Sequence, residues 1–421
     1  MMSNLMQDRV ISAKYPVLVI ILCACFCFYK YVLQIYPSII TDQLMSEFQL
    51  TGLGLGNLAG TFYYSLMISQ LFVGVILDTC NIRWVTSAAI LACAVGAIFF
   101  SETHNLLVAE LARSLMGIGV AFATVTYLKL VSIWFPERHY AFISGLLATA
   151  AMSGAVFGEA PLSWFIGNLG WRECLCNIGL AGIVLTILFN AVVRDSSSIS
   201  RQEKSTKGSR VCFQDILQVI KNKQNWLLTL YGGLACSPMA VFGGLWGNPF
   251  LQQAYHIDKT LAASMVSLVF VGLGIGSPLF GLLSSHIGDK RRVMFFSTLL
   301  SCAAVNLVLY CHPLPIWLLG LLLFVFGFSL GAFMLVFSVG KEFNDVRLAA
   351  TVIAMINASD AVLDGITEPG IGKILDWGWD GRMIGGAHYF SLHSYHAALA
   401  VLPIYLLVAA WLLCFLKTTK K

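Results

Sequence analysis

Ten residues, GVILDTCNIR (Gly74–Arg83), join two long apolar stretches, and GLLSSHIGDKRR (Gly281–Arg292) echoes them 207 positions later. Each copy is a short turn with basic residues, set between runs of about 20 apolar residues, the length a helix needs to cross a hydrocarbon core of roughly 30 Å. Matching loops at that offset divide the chain into two halves. Internal repeats of this kind are a signature of secondary transporters.

Composition agrees with a bilayer as the main solvent. Of 421 residues, 58% are hydrophobic and 11% charged, with a mean hydropathy of +0.80; a soluble domain carries roughly a quarter charged residues. The pattern predicts twelve helices, at approximately 15–42, 52–77, 84–101, 105–131, 139–165, 173–193, 224–251, 260–284, 292–311, 315–340, 349–375 and 393–416. The polar, Ser-rich stretch RDSSSISRQEKSTKGSR (Arg194–Arg210) is the one convincing linker. The expected division is an N-terminal six-helix bundle (1–194), a cytoplasmic linker (195–222) and a C-terminal six-helix bundle (223–421). With a cytoplasmic N-terminus, 20 of the 26 basic residues fall on the cytoplasmic side, so both termini are expected there. The first apolar run begins near Tyr15 and lacks a cleavage site; it reads as a first helix, not a signal peptide. The net charge of +5 carries no nucleic-acid message, because the basic residues cluster in loops between spans. Twelve cysteines lie mostly within spans and read as small apolar residues.

With these features the chain resembles the major facilitator superfamily over nearly its whole length. Gly74, Asp78 and Arg83 match the family's loop motif. Asn81 replaces its second glycine and is expected to tolerate the left-handed conformation of a tight turn. In the second copy Gly281, Gly288 and Lys290 match, but Ser285 replaces the acid. By this resemblance Asp78 anchors a cytoplasmic network that holds one state of an alternating-access cycle, and Gly74, Arg83, Gly281 and Gly288 belong to the gating loops. RSLMGIG (Arg113–Gly119) resembles the family's motif in helix four. SGAVFGEAP (Ser153–Pro161) lies at its Gly/Pro motif in helix five, with Glu159 where a small or apolar residue is usual. GWRE (Gly170–Glu173) and LWGNPFL (Leu245–Leu251) resemble its outer loop and the end of helix seven. CFCFYKYVLQIYPSIITDQL (Cys25–Leu44), GIGSPLFG (Gly274–Gly281) and IGKILD (Ile371–Asp376) are similar to bacterial nutrient importers, including phagosomal transporters of intracellular pathogens.

The charges within spans are the candidates for chemistry. Lys30 lies 14 residues past Pro16, roughly 21 Å along its helix, with Tyr29, Tyr31 and Gln34 around it. An unpaired ammonium at such depth costs about 2.5–3.5 kcal/mol on insertion scales. Arg113 lies about 12 Å into its own span. NASDAVLDGITEPG (Asn357–Gly370) places Asp360, Asp364 and Glu368 four residues apart, so they form one stripe on a helix. By the resemblance, helix eleven borders the central cavity. The stripe then either carries protons and substrate or makes static ion pairs with Lys30, Arg113 or Lys373. The expected site has Lys30 and Arg113 holding an anionic group, Gln34 beside them, and Tyr63, Tyr64 and Trp246 as aromatic walls. Asp360 and Asp364 bind an ammonium or carry the proton, with Glu159 as a further proton-coupling candidate. The glycines of GLGLGNLAG (Gly52–Gly60) open a membrane helix and read as close packing, not as a dinucleotide loop. His388, His393 and His396 do not read as a metal site, and no cofactor is expected. No nucleophile elbow, P-loop or HExxH motif occurs, which argues against an enzyme or an ATP-driven pump.

The sequence therefore reads as an all-α membrane protein of two six-helix bundles. The expected function is proton symport of a small polar or zwitterionic metabolite (an amino acid, nucleoside or organic acid) by a monomer in a bacterial inner membrane. A proton-coupled efflux antiporter and a transporter-like ligand sensor stand as alternatives.

Overall fold

The computed structural model describes residues 14–135, 137–194, 219, 221–311, 313–344 and 348–417, without the side chains of 14, 78, 137–142, 144, 145, 349 and 350. The first half comprises α1 (Lys14–Ile35), α2 (Thr41–Phe48), α3 (Gly52–Thr79), α4 (Ile82–Glu102), α5 (Leu106–Trp134), α6 (Glu137–Phe157), α7 (Ala160–Leu169) and α8 (Trp171–Val192). The second comprises α9 (Lys223–Val241), α10 (Gly247–Tyr255), α11 (Lys259–Ile287), α12 (Lys290–Tyr310), α13 (Ile316–Leu330), α14 (Leu335–Glu342), α15 (Ala349–Trp377), α16 (Leu392–Leu399) and α17 (Val401–Cys414). A short antiparallel hairpin, β1 (Met383–Ile384) with β2 (Ala387–His388), sits between α15 and α16. Among the described residues, ten helical segments are long and apolar enough to cross a membrane. The twelve expected crossings are completed by α6 with α7, and by α15, which carries the acid stripe. The protein is a multi-pass membrane protein of near twelve-helix architecture.

Several spans are not the single helices expected, and the breaks have local causes. The first ends at Ile35 and turns through a 3₁₀ segment, Tyr36–Ile39, where Pro37 removes an amide donor. The fifth breaks at Glu159, whose backbone (φ −104°, ψ −98°) is not helical, and Pro161 restarts it in the first turn of α7. The seventh contains a π segment, Phe242–Trp246, after Pro238. The tenth passes through a 3₁₀ turn at Gly331–Met334. Asn81 is also a correction: its φ is −67° and it is extended, capping α4 by accepting from the amide of Trp84. The left-handed position occurs only in the second loop, at Gly288 (φ 73°), where Asp289 then caps α12. Both loops start the next helix with a side-chain cap; they differ in how the preceding helix ends, through extended Cys80 in the first and left-handed Gly288 in the second.

Alternation of the spans puts Lys14 and Lys417 on one face, here the terminal face, and α2 with the hairpin on the far face. Across the two halves α3 packs along α15, and α6 and α7 pack on α11. The α3–α15 seam is built on glycine: a Cβ on Gly56 would lie 2.5 Å from the Glu368 carbonyl oxygen and 2.6 Å from the Pro369 Cα. Close backbone approach is what small residues provide where lipid supplies no hydrophobic driving force.

Candidate functional site

The acid stripe of α15 faces α1, α3 and α9 along the seam between the halves. Asp360 is half-buried, and the charges acting on it are those of Lys30 on α1 and of Asp364. Asp364 is buried beside Ser237 of α9. Glu368 is buried near Tyr63 of α3, and the indole N–H of Trp246 donates to the Glu368 backbone carbonyl at 3.2 Å. Gln34 donates to the Tyr63 hydroxyl at 3.3 Å. Lys30, Gln34, Tyr63, Trp246, Asp360, Asp364 and Glu368 therefore gather at one place. The stripe runs from a half-buried mouth at Asp360 into the closed seam at Glu368.

Its polar groups are left open. Among the described residues, Oδ1 of Asp360, Oδ1 of Asp364 and Oε2 of Glu368 are buried and have no hydrogen-bond partner. Among the described residues none of the three acids has a cation within ion-pair distance. The static pairing that the sequence allowed is thus not formed: Lys30 lies 5.2 Å above the Tyr31 ring, and Lys373 is exposed over Trp377. Buried carboxylates without partners are costly unless a proton, a cation or a ligand donor neutralises them.

Arg113 stands behind this cluster, its charge acting on Glu368 and Tyr63 while its hydrogen bonds go elsewhere. It is 1% exposed, donates to the Leu33 carbonyl at 2.8 Å and to the Ala59 carbonyl at 3.5 Å, and stacks near Tyr36 and Phe62. It ties α1, α3 and α5 together, with one unpaired nitrogen, Nε. Tyr64 stands apart, because adjacent helical positions point about 100° from each other. It is 38% exposed and donates to the Gly365 carbonyl at 2.6 Å, bracing the seam.

Glu159 builds a second polar knot at the break between α6 and α7. It is fully buried, accepts from Ser38 at 2.8 Å and from Asn248 at 2.7 Å, and Asn248 also donates to Ser38 at 3.1 Å. Three spans from both halves meet there. Sequence reading picked out Glu159 but missed Ser38, Asn248 and Ser237; their only signal is small polar residues inside otherwise apolar spans.

The far face is closed by further cross-half contacts. Asp376 accepts from the amides of Gly52 (2.7 Å) and Leu53 (2.8 Å), capping α3 from the end of α15. Lys259 pairs with Asp42 at 2.9 Å. Within the first half, Glu47 pairs with Arg172 (2.7 Å) and with His104. Burial alone would raise the Glu47 carboxyl, but the bonds and charges of His104 and Arg172 outweigh it and hold the group below its ordinary range. On the terminal face, Arg83 donates to Asn190 of α8 at 2.9 Å, and Lys129 donates to the Leu77 carbonyl at 2.7 Å. Lys290 donates to Ser338 at 2.6 Å and pairs with Glu342. A Cβ on Gly74 or on Gly281 would meet nothing within 4 Å. The side chain of Asp78 lies outside the described residues, as do the linker 195–218 and Arg347.

The sequence model of the Major Facilitator Superfamily matches residues 18–358. The chain belongs to this superfamily. Among curated relatives it is 27% identical over 152 residues to the uncharacterized transporter YybO of Bacillus subtilis, covering 36% of this chain and 35% of YybO. It is 22% identical to the D-galactonate transporter of Escherichia coli O6:H1 (79% of this chain, 82% of that one). It is 21% identical to the membrane sensor protein UhpC of Escherichia coli K12 (87% and 86%). The chain spans between about a third and two thirds of the length of the first curated relatives it matches. A bacterial homologue of the lysosomal transporter Spinster, crystallised in an inward-facing, unoccupied conformation, superposes with a TM-score of 0.79 at 14% identity, covering 96% of this chain and 97% of that one. That likeness shows the facilitator fold.

Proposed function

We propose that this facilitator-family chain is a secondary transporter that imports a small polar or zwitterionic metabolite by proton symport, acting as a monomer in a bacterial inner membrane. The observation that carries the reading is the acid stripe: half-buried Asp360, which faces Lys30 across the seam between the halves, and buried Asp364 and Glu368, each with an unpartnered oxygen. In this reading the terminal face is cytoplasmic, the halves 1–194 and 223–421 rock about the seam, and 195–222 is their linker. The closed far face then makes the described state inward-facing. Lys30 holds the anionic end of the substrate, Gln34 and Tyr63 its polar body, and Asp360 its ammonium. Asp364, deeper and beside Ser237, takes the proton. Arg113 fixes α1 and α3 behind the site. The sugar-acid relative supports an organic acid as the substrate class, since Lys30 suits a carboxylate.

The test is uptake of labelled amino acids, nucleosides and organic acids into proteoliposomes with and without a pH gradient. Lys30→Ala should weaken substrate binding by more than about tenfold with the protein still monodisperse; wild-type affinity would remove Lys30 from the site. Asp360→Asn or Asp364→Asn should retain counterflow yet lose accumulation driven by the pH gradient, whereas Glu368→Gln accumulates nearly normally. If both Asp variants still concentrate substrate, the coupling proton sits elsewhere, with Glu159 next in line. The match to a membrane sensor over 87% of the chain favours one second reading, a ligand sensor. Saturable binding without counterflow in the wild-type liposomes would select it.

A further inference from the structure

Away from the seam, the start of α12 and the end of α17 enclose a crevice of about 290 Å³ on the terminal face, lined by Arg291, Arg292, Phe295, Phe296, Leu413 and Cys414. Its chemistry is divided. Two guanidiniums stand at the rim, and the walls beneath are aromatic and aliphatic. We propose that this crevice is a binding site for an anionic phospholipid, with the phosphate between Arg291 and Arg292 and the upper acyl chain against Phe295, Phe296 and Leu413. The site is separate from the transport pathway and does not depend on which metabolite is carried.

Each arginine is pinned by one nitrogen while others stay available. Arg291 donates from Nη1 to the Leu416 carbonyl at 2.8 Å, which holds its guanidinium across the gap between α12 and α17. Arg292 is held through Nε by Asp289 at 3.0 Å, and the same carboxylate caps the Arg292 amide. No other bond from either guanidinium occurs among the described residues, so several planar donors remain for a phosphate. Asp289 is the carboxylate next to the pair, and it is already engaged. Lys290 points away, to Ser338 and Glu342. Among the described residues nothing else neutralises the two positive charges.

The walls separate a lipid from a free phosphate. Phe296 is 67% exposed and its ring meets Phe295 at 5.5 Å; Trp411 near the end of α17 and Phe415 just past it are exposed and pack edge-on at 4.8 Å. A hydrated phosphate ion gains nothing from such surfaces, whereas a diacyl lipid lays its glycerol and first methylenes along them. Basic pockets between spans near the anionic leaflet recognise lipid headgroups by this division of labour.

The experiment uses the full chain, delipidated in a neutral detergent. It is titrated with dioctanoyl phosphatidylglycerol, with dioctanoyl phosphatidylcholine and with glycerol 3-phosphate. Intrinsic-fluorescence melting and native mass spectrometry report binding. Phosphatidylglycerol should bind saturably at one per chain and raise the melting temperature, with the other two ligands near baseline. The double variant Arg291→Gln/Arg292→Gln should bind at least about tenfold more weakly. Arg194→Gln, on the same face but away from the crevice, should match the wild type. The wild-type chain gives a test free of folding effects: its preference for phosphatidylglycerol over phosphatidylcholine should shrink as salt rises from about 0.05 to 0.5 M. Equal binding of phosphatidylcholine, equal binding of glycerol 3-phosphate, unchanged binding in the Gln variant or a salt-independent preference would each overturn the lipid site.

Discussion

The helices α3 and α15 touch along only part of their length, and the two ends of that pair follow opposite rules. At the far end, Gly52, Gly56 and Gly60 lie against Gly372, Glu368 and Gly365, and Asp376 caps the first amides of α3. At the terminal end of α3, Ile68, Leu71, Phe72 and Val75 are 54–69% exposed, and Gly74 has open space where a side chain would be. The difference teaches that in this state the seam is held shut at the far end and left apart at the terminal end. The latch is made of backbone contact and carboxylate caps, both lost completely once the backbones separate by an ångström or two. The open end carries bulky apolar residues that suit either lipid or a partner helix in another state.

The largest effect is expected inside the closely packed part of the seam. Gly56→Leu should reduce uptake to less than about a tenth, because its side chain would enter the backbone of Glu368 and Pro369, and overpacking of this kind typically costs about 1–3 kcal/mol or more. The matching change at the open end, Gly74→Leu, should leave the melting temperature of this state unaltered and slow only the return step. A lower melting temperature for Gly74→Leu would break the comparison. Next comes the latch. Asp376→Ala leaves two amides of α3 uncapped, worth about 1–2 kcal/mol, and should shift the population toward a far-open state by roughly tenfold. Spin labels replacing His104 and His256 in far-face loops would report the widening by pulsed distance measurement; an unchanged distance distribution would mean that Asp376 only stabilises α3.

The smallest effect should come from Glu47, whose pairs are partly exposed and lie within one half. Its carboxyl is held below its ordinary range, so its contribution is present at neutral pH and fades as acid takes the pH down through its own lowered value. Glu47→Gln should change stability by no more than about 1 kcal/mol and leave uptake intact. A large loss of uptake would extend the latch to the ion pairs that tie α2 to α8 and to the loop after α4.

Much of this was legible in the sequence for a physical reason. A bilayer leaves a chain little choice but helices about 20 residues long, so composition and span length fixed twelve crossings, and the repeated loop fixed two halves. The charge stripe on α15 was legible too, because spacing by four residues holds on any helix. The breaks at Pro37, Glu159 and Gly331 were less so, since membrane helices tolerate Pro and Gly when neighbours satisfy the freed backbone.

Asp376 entered the sequence reading only as the end of IGKILD, and nothing nearby in sequence says that it caps a helix more than 320 residues away. Arg113 read as a substrate ligand, and nothing local in sequence says that its guanidinium donates to the carbonyls of Leu33 and Ala59 while Nε stays unpaired. The sequence by itself determined the solvent of each segment, the number of crossings and the residues that must escape lipid, because those follow from local apolarity and helical period. Which of the charges are satisfied and which stay open was decided only by the tertiary structure. A partner for a buried charge comes from whichever distant backbone the packing brings within 3 Å, and no local pattern encodes that distance.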